Sequence, residues 1–325
     1  MAGSENILEV KNLYVSSGGT DIVQNGNFSL KTGEFLGIAG ESGCGKTTLL
    51  RALMMLKRKE DVIKGSVRFQ GRELTAIEAE ELRRLRGSEI TMIPQNAAEA
   101  MDGTKTISAL FYETIRMHSG RKMKRRETDR IAGALMEKMQ LEDIERVLKS
   151  YPFELSGGMC QRVMIAAAMA NHPGLMLCDE PTSALDVANQ LKVIQELEKL
   201  KKEEGISLIM ISHNLGVISR IADKIAVMYG GRIVEYGSRD QIIYHSLHPY
   251  TKALLGAVPD GEGNISEGLP GLPPAFEKDR KGCPFAPRCP VCEKKCLEEF
   301  PEDTVEDRTH RVQCFRAKEW KDAPS

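Results

Sequence analysis

The chain has 325 residues, with 45 Lys and Arg against 46 Asp and Glu, giving a formal net charge of −1. Apolar residues at 41% and charged residues at 28% describe an ordinary globular protein rather than a disordered one. The even charge balance argues against a nucleic-acid binder, and the longest apolar run, Val163 to Ala170, falls well short of the roughly 20 residues that a membrane-spanning helix needs. The start, Met1 to Asn12, shows no basic stretch followed by an apolar one, so a cytosolic protein without a signal peptide is expected. The length leaves room for two domains.

Short apolar runs alternate with helical patterns up to about residue 258, which predicts an α/β domain with a largely parallel sheet. The first predicted strand is Glu34–Ala39. It runs into Gly40-Glu41-Ser42-Gly43-Cys44-Gly45-Lys46-Thr47, then Thr48 within a helix predicted over Thr47–Leu56. G-x-x-x-x-G-K-[ST] between a strand and a helix is a phosphate-binding loop. Its glycines let successive N–H groups face one anion, and the helix end adds its positive dipole. Lys46 would reach the β- and γ-phosphates of ATP, and the Thr47 hydroxyl would ligate Mg²⁺.

A strand over Ile90–Ile93 ends in Pro94-Gln95. Helices are predicted over Ile107–His118 and Thr128–Gln140. Between them the basic run Arg121 to Arg126 reads as a solvated helix start, with acidic lipid headgroups or a partner subunit as the alternative. Leu155-Ser156-Gly157-Gly158 opens a helix over Met159–Ala170, and its hydroxyl and N–H groups make a second anion site. Leu175–Cys178 is a strand that ends in Asp179-Glu180, with Pro181 turning the chain. Asp179 is suited to holding Mg²⁺, and Glu180 to polarising an attacking water as general base. A helix over Val187–Glu204 follows, then a strand over Ser207–Ile211 that ends in Ser212-His213. The ends of parallel strands share one edge, where α/β proteins bind ligands. The sequence therefore predicts that Gly40–Thr48, Gln95, Asp179, Glu180 and His213 meet on one nucleotide. Gln95 would reach Mg²⁺ and the water, and His213 the γ-phosphate. A second phosphate-binding helix end, at Ser156–Gly158, suggests a site shared between two subunits.

Past Val258 the texture changes. Residues 259–282 are rich in Gly and Pro and predict an extended linker, so a boundary is placed near 259. Five of the eight cysteines follow: Cys283, Cys289, Cys292, Cys296 and Cys314. In a reducing compartment such a cluster reads as a metal site before it reads as disulfides.

Six motifs in order now carry a resemblance. Gly40–Thr47 is similar to Walker A, Gln95 to the Q-loop, Leu155–Met159 to the signature, Leu175–Glu180 to Walker B, Ser183–Asp186 to the D-loop and His213 to the switch histidine of ATP-binding cassette (ABC) subunits. Ser-Gly-Gly-Met in the signature, His248-Pro249-Tyr250 and the run Gly282 to Pro290 resemble the ATP-binding subunits of dipeptide, oligopeptide and nickel importers. The resemblance implies a RecA-like P-loop core over 1–258 with a helical subdomain at about 96–160. It implies a small cysteine-rich C-terminal domain over 259–325. It further implies a pair of cassettes, often two different chains, at the cytoplasmic side of the membrane. ATP would lie between one chain's Walker motifs and the other's signature. Two permease subunits and an extracytoplasmic binding protein would complete the importer.

Soluble ABC proteins that act on ribosomes or DNA carry two cassettes or a long coiled coil, and this chain has neither. A P-loop kinase has no use for Leu155–Met159. Two departures stand out. The family's adenine-stacking aromatic falls here on Ser17, with Tyr14 nearby, and a lost stack costs about 0.5–1.5 kcal/mol. Asn96 to Gly103 also departs from the branch's usual run. The spacing of Cys283, Cys289, Cys296 and Cys314 resembles that of members carrying a [4Fe–4S] cluster, with Cys292 outside the set. The cluster is the first expectation; thiolates also suit Zn²⁺, at a site that His310 could complete, and a cluster of cysteines with no metal is the remaining alternative.

Overall fold

The computed structural model describes residues 6–183, 185–257, 269, 271–276, 280–305, 309–317 and 319. Most of the Gly- and Pro-rich linker and Ala184 of the D-loop lie outside the described residues. In chain order the elements begin with β1 (Asn6–Ser17), β2 (Thr20–Lys31), β3 (Phe35–Ala39), α1 (Lys46–Leu53), β4 (Asp61–Phe69) and β5 (Arg72–Glu73). Next come α2 (Ala79–Leu85), β6 (Ile90–Ile93), α3 (Ala97–Ala100), α4 (Ile107–His118), α5 (Arg125–Lys138), α6 (Ile144–Lys149), α7 (Gly157–Met169), β7 (Leu175–Asp179) and α8 (Val187–Glu204). The chain continues through β8 (Ser207–Ser212), α9 (Leu215–Ile221), β9 (Lys224–Tyr229), β10 (Arg232–Ser238), α10 (Arg239–Tyr244) and α11 (Pro249–Gly256). It closes with α12 (Lys294–Glu298), β11 (Thr304–Val305) and β12 (Arg311–Val312).

The chain forms two compact units, one of residues 1–76 with 211–325 and one of residues 77–210. In the first, β2-β1-β4-β5 make an antiparallel sheet. The sequence predicts no such sheet. Its strands are half-buried and interrupted, with register shifts in β1 and with Asn12 and Asn25 at positive φ. Beside it, β3 pairs with β9 in parallel, Ile38 opposite Ala226, and β9 pairs with β10 antiparallel. All five residues of β3 are buried, as expected of a strand covered on both faces.

The C-terminal residues are built into this same unit. Strand β12 pairs with β10, Val312 opposite Glu235 and Arg311 opposite Tyr236. Phe285 is buried against Tyr229 and Tyr250, with ring centroids 5.2 and 5.4 Å away. Glu235, itself buried, accepts from the backbone N–H groups of Leu247 (2.7 Å) and His248 (3.1 Å), and its carboxylate lies 2.9 Å from His310 Nε2. One carboxylate thus joins β10, the entry to α11 and the C-terminal segment.

In the second unit β6 and β7 run parallel, Ile93 opposite Cys178, and β8 lies beside β7. Both β7 and β8 are buried along their full length. Helices α4, α5 and α7 pack around Phe111, Ala132, Met136 and Val163. The basic run is exposed apart from Met123, and Arg125 is anchored. Its guanidinium donates to Ser108 Oγ (2.9 Å) and Thr106 Oγ1 (3.3 Å), fixing the start of α5 on the start of α4. Glu196 on α8 is buried with neither carboxylate oxygen hydrogen-bonded. Burial pushes its pKa up to about 7, so the neutral acid is populated near neutral pH.

Candidate functional site

The phosphate-binding loop lies in the first unit. Strand β3 delivers Gly40, where a Cβ would stand 2.2 Å from the Met228 carbonyl oxygen, so no larger residue fits. Gly45 precedes α1 at φ 102°, in the left-handed region, and has no side chain to cap the helix. The N-terminal end of α1, with its positive dipole, is suited to an anion. Lys46 is only 5% exposed and donates from Nζ to the carbonyls of Gly40 (2.8 Å) and Glu41 (2.9 Å). These bonds tie its ammonium group to the start of the loop. Ser42, Gly43 and Thr47 are exposed, and Thr48 is half-buried. Burial raises the pKa of the Cys44 thiol, which keeps it protonated.

His213 follows β8 and also belongs to the first unit, where its side chain is exposed. Ser17 ends β1 opposite Thr20 and Asp61, and Tyr14 lies on the same strand, 38% exposed.

Gln95, Asp179, Glu180 and the signature lie in the second unit. The parallel register that sets Ile93 against Cys178 carries Gln95 to Glu180. Gln95 Nε2 donates to Glu180 Oε2 at 3.3 Å. Asp179 ends β7 and is buried. Glu180 has φ 44°, a left-handed conformation that costs a non-glycine residue about 1–3 kcal/mol. Its carbonyl accepts from Ser183 N and Oγ, both at 3.2 Å, which holds that turn. Ser156 is the N-cap of α7, its Oγ accepting from Met159 N at 3.3 Å. Ser156 and Gly157 are exposed, and a Cβ on Gly157 would meet nothing. Gly158 is buried, and a Cβ there would touch Asn189.

A cavity in the first unit is lined by Cys283, Cys289, Cys296 and Cys314, with Phe285 and Pro301 among its apolar walls. Burial, with neighbouring cysteines adding to it, pushes the thiol of Cys283 up to about 12 and that of Cys314 up to about 11. A nearby cation would reverse that balance and favour thiolates. Cys292 is exposed and does not line the cavity. Neither does His310, whose ring sits against Glu235, so the expectation that it completes a zinc site is corrected. His248 does line the cavity, but its Nδ1 accepts from Tyr250 N at 3.1 Å, and burial pushes its pKa down to about 4. Among the described residues no three His, Cys, Asp or Glu side chains are gathered tightly enough for a single metal ion.

Sequence reasoning missed Glu235, Arg288 and Tyr250 as working residues. Arg288 makes a two-pronged ion pair with Glu41 of the phosphate-binding loop, Nη1 to Oε2 at 2.7 Å and Nη2 to Oε1 at 3.1 Å. The two residues are 247 positions apart, and no local pattern links them.

The ABC transporter family profile matches residues 23–183, and that of the oligopeptide/dipeptide transporter C-terminal region matches residues 234–296. The dipeptide transport ATP-binding protein DppD of Bacillus subtilis is 37% identical over 319 residues, 96% of this chain and 95% of that protein. The oligopeptide transport ATP-binding protein OppD of Salmonella typhimurium is 39% identical over 319 residues, 96% and 94% of the two chains. This chain belongs to the ABC transporter ATP-binding proteins of the oligopeptide/dipeptide branch. As an ABC ATPase it binds and hydrolyses ATP. Among solved structures it resembles the dimeric ATP-binding cassette MJ0796 bound to ADP and Pi, with a TM-score of 0.65 and 27% identity over 71% of this chain and 98% of that one. Among the described residues no helix of this ABC protein is long and apolar enough to cross a membrane.

Proposed function

We propose that this chain energises an importer of di- and oligopeptides, working at the cytoplasmic face of the membrane. The observation that carries the reading is the identity to DppD and OppD across nearly the whole chain, C-terminal region included. Lys46 and the N–H groups of Gly40–Thr48 hold the phosphates, and Thr47, Gln95 and Asp179 serve Mg²⁺. Glu180 polarises the attacking water, and His213 meets the γ-phosphate. Ser156, Gly157 and Gly158 act on the nucleotide of a second ATP-binding subunit, which would be a different chain. Two permease subunits and an extracytoplasmic binding protein complete the assembly. Exposure of Ser156 and Gly157 supports this, because a signature that acts in trans must face outward. Uptake of labelled di- and oligopeptides and of Ni²⁺ in a strain lacking this chain tests the cargo. Loss of peptide uptake, restored by the gene, is expected. Loss of Ni²⁺ uptake alone would move the assignment to nickel.

The same reading extends to a [4Fe–4S] cluster on Cys283, Cys289, Cys296 and Cys314. Four thiols line one apolar-walled cavity, and a four-iron cube is held by four cysteines. Protein purified without oxygen should contain about four iron and four sulfide per chain. Cys289→Ser should lose both, whereas Cys292→Ser and His310→Ala should keep them. Stoichiometric zinc without iron would overturn the cluster.

A further inference from the structure

We propose that Arg288 is a positioning residue for nucleotide binding, neutralising Glu41 and drawing it aside so that the phosphate-binding loop can accept ATP. A loop built to collect N–H dipoles around an anion gains nothing from a carboxylate of its own. Glu41 nevertheless sits second in that loop, and an unpaired charge there would repel the incoming phosphates.

The structure shows how the charge is managed. Glu41 is held at both ends by residues from the C-terminal part of the chain. Its N–H donates to the hydroxyl of Tyr250 at 2.9 Å, and its carboxylate receives both prongs of Arg288. The Arg288 side chain is 7% exposed and that of Glu41 23%. Arg288 has further partners in the Tyr229 hydroxyl (3.2 Å) and the Leu269 carbonyl (3.4 Å), which hold its guanidinium in place beside Glu41. Tyr229 and Tyr250 in turn pack on each other at 4.4 Å and on Phe285, three residues before Arg288. A two-pronged arginine–carboxylate pair in such a setting fixes orientation as well as charge, which a lysine would not reproduce. The segment between Cys283 and Cys289 thus sets the charge of the nucleotide loop. This rests on Gly40–Thr48 as the ATP-binding loop.

The test is equilibrium binding of Mg·ATP to the full chain, with thermal melting recorded for each variant. Arg288→Met should weaken ATP binding about tenfold, or about 1.4 kcal/mol. Arg288→Lys should fall between that variant and the wild type. Adding Glu41→Gln to Arg288→Met should restore affinity to near the wild-type value, because the repelling charge is gone. A merely structural role for Arg288 would instead show as a fall in melting temperature that tracks the loss of affinity, whereas the proposal expects weaker ATP binding in Arg288→Met at a temperature where that variant is fully folded. Wild-type affinity in Arg288→Met, or no recovery in the double variant, overturns the proposal. Lys46→Ala is the control for the loop itself: unchanged ATP binding there would count against the loop assignment and not against Arg288.

Discussion

Glu180→Gln should lower ATP hydrolysis by the assembled transporter about 10²–10⁴-fold while leaving ATP binding close to that of the wild type. The glutamine keeps an oxygen that can accept from Gln95 Nε2, so the contact now at 3.3 Å survives, as does the turn held by Ser183. What it lacks is the charge that takes up a proton from water. Steady-state phosphate release and equilibrium nucleotide binding, measured on one preparation, separate the two effects. A rate within about threefold of the wild type, far short of the loss expected for a general base, would remove Glu180 from that role.

Glu235→Ala should cost about 3–5 kcal/mol of stability, as removal of one partner from a buried polar pair does. The N–H groups of Leu247 and His248 would lose their acceptor in the interior, and each buried donor left without a partner costs about 1–3 kcal/mol. His310 would lose the carboxylate that holds the C-terminal segment against β10. Glu235→Gln should cost less, because an acceptor oxygen remains. Denaturant midpoints read the difference, and proteolysis should release the C-terminal segment first in the alanine variant. A midpoint for Glu235→Ala within about 0.5 kcal/mol of the wild type, the range of ordinary surface changes, would contradict the bridging role.

The two predictions draw on different kinds of information in the chain. The place of Glu180 at the end of a buried strand was legible in the sequence because the signal is local: an apolar run, two carboxylates and a proline lie within a few residues. The helices over Ile107–His118 and Val187–Glu204 and the strand over Ile90–Ile93 are legible for the same reason and span the same residues in the structure. Glu235 and His310 are 75 positions apart and Arg288 and Glu41 are 247 apart, so no spacing rule joins them. The antiparallel sheet escaped notice for another reason. Its strands bury one face, break register near Asn12 and carry polar residues between the apolar ones, which dilutes a period-two pattern. The four cavity cysteines were legible as a cluster, but His310 was misplaced, since sequence proximity to cysteines does not reveal which carboxylate a histidine faces.

The most direct measurement is ATP hydrolysis by the reconstituted assembly in lipid vesicles: this chain, its partner cassette, the permease subunits and the binding protein. Hydrolysis should be low for this chain alone and should rise when the binding protein is loaded with a di- or oligopeptide, together with delivery of that peptide across the bilayer. Hydrolysis at full rate by the isolated chain, unmoved by permease, binding protein or peptide, would contradict a role in driving import.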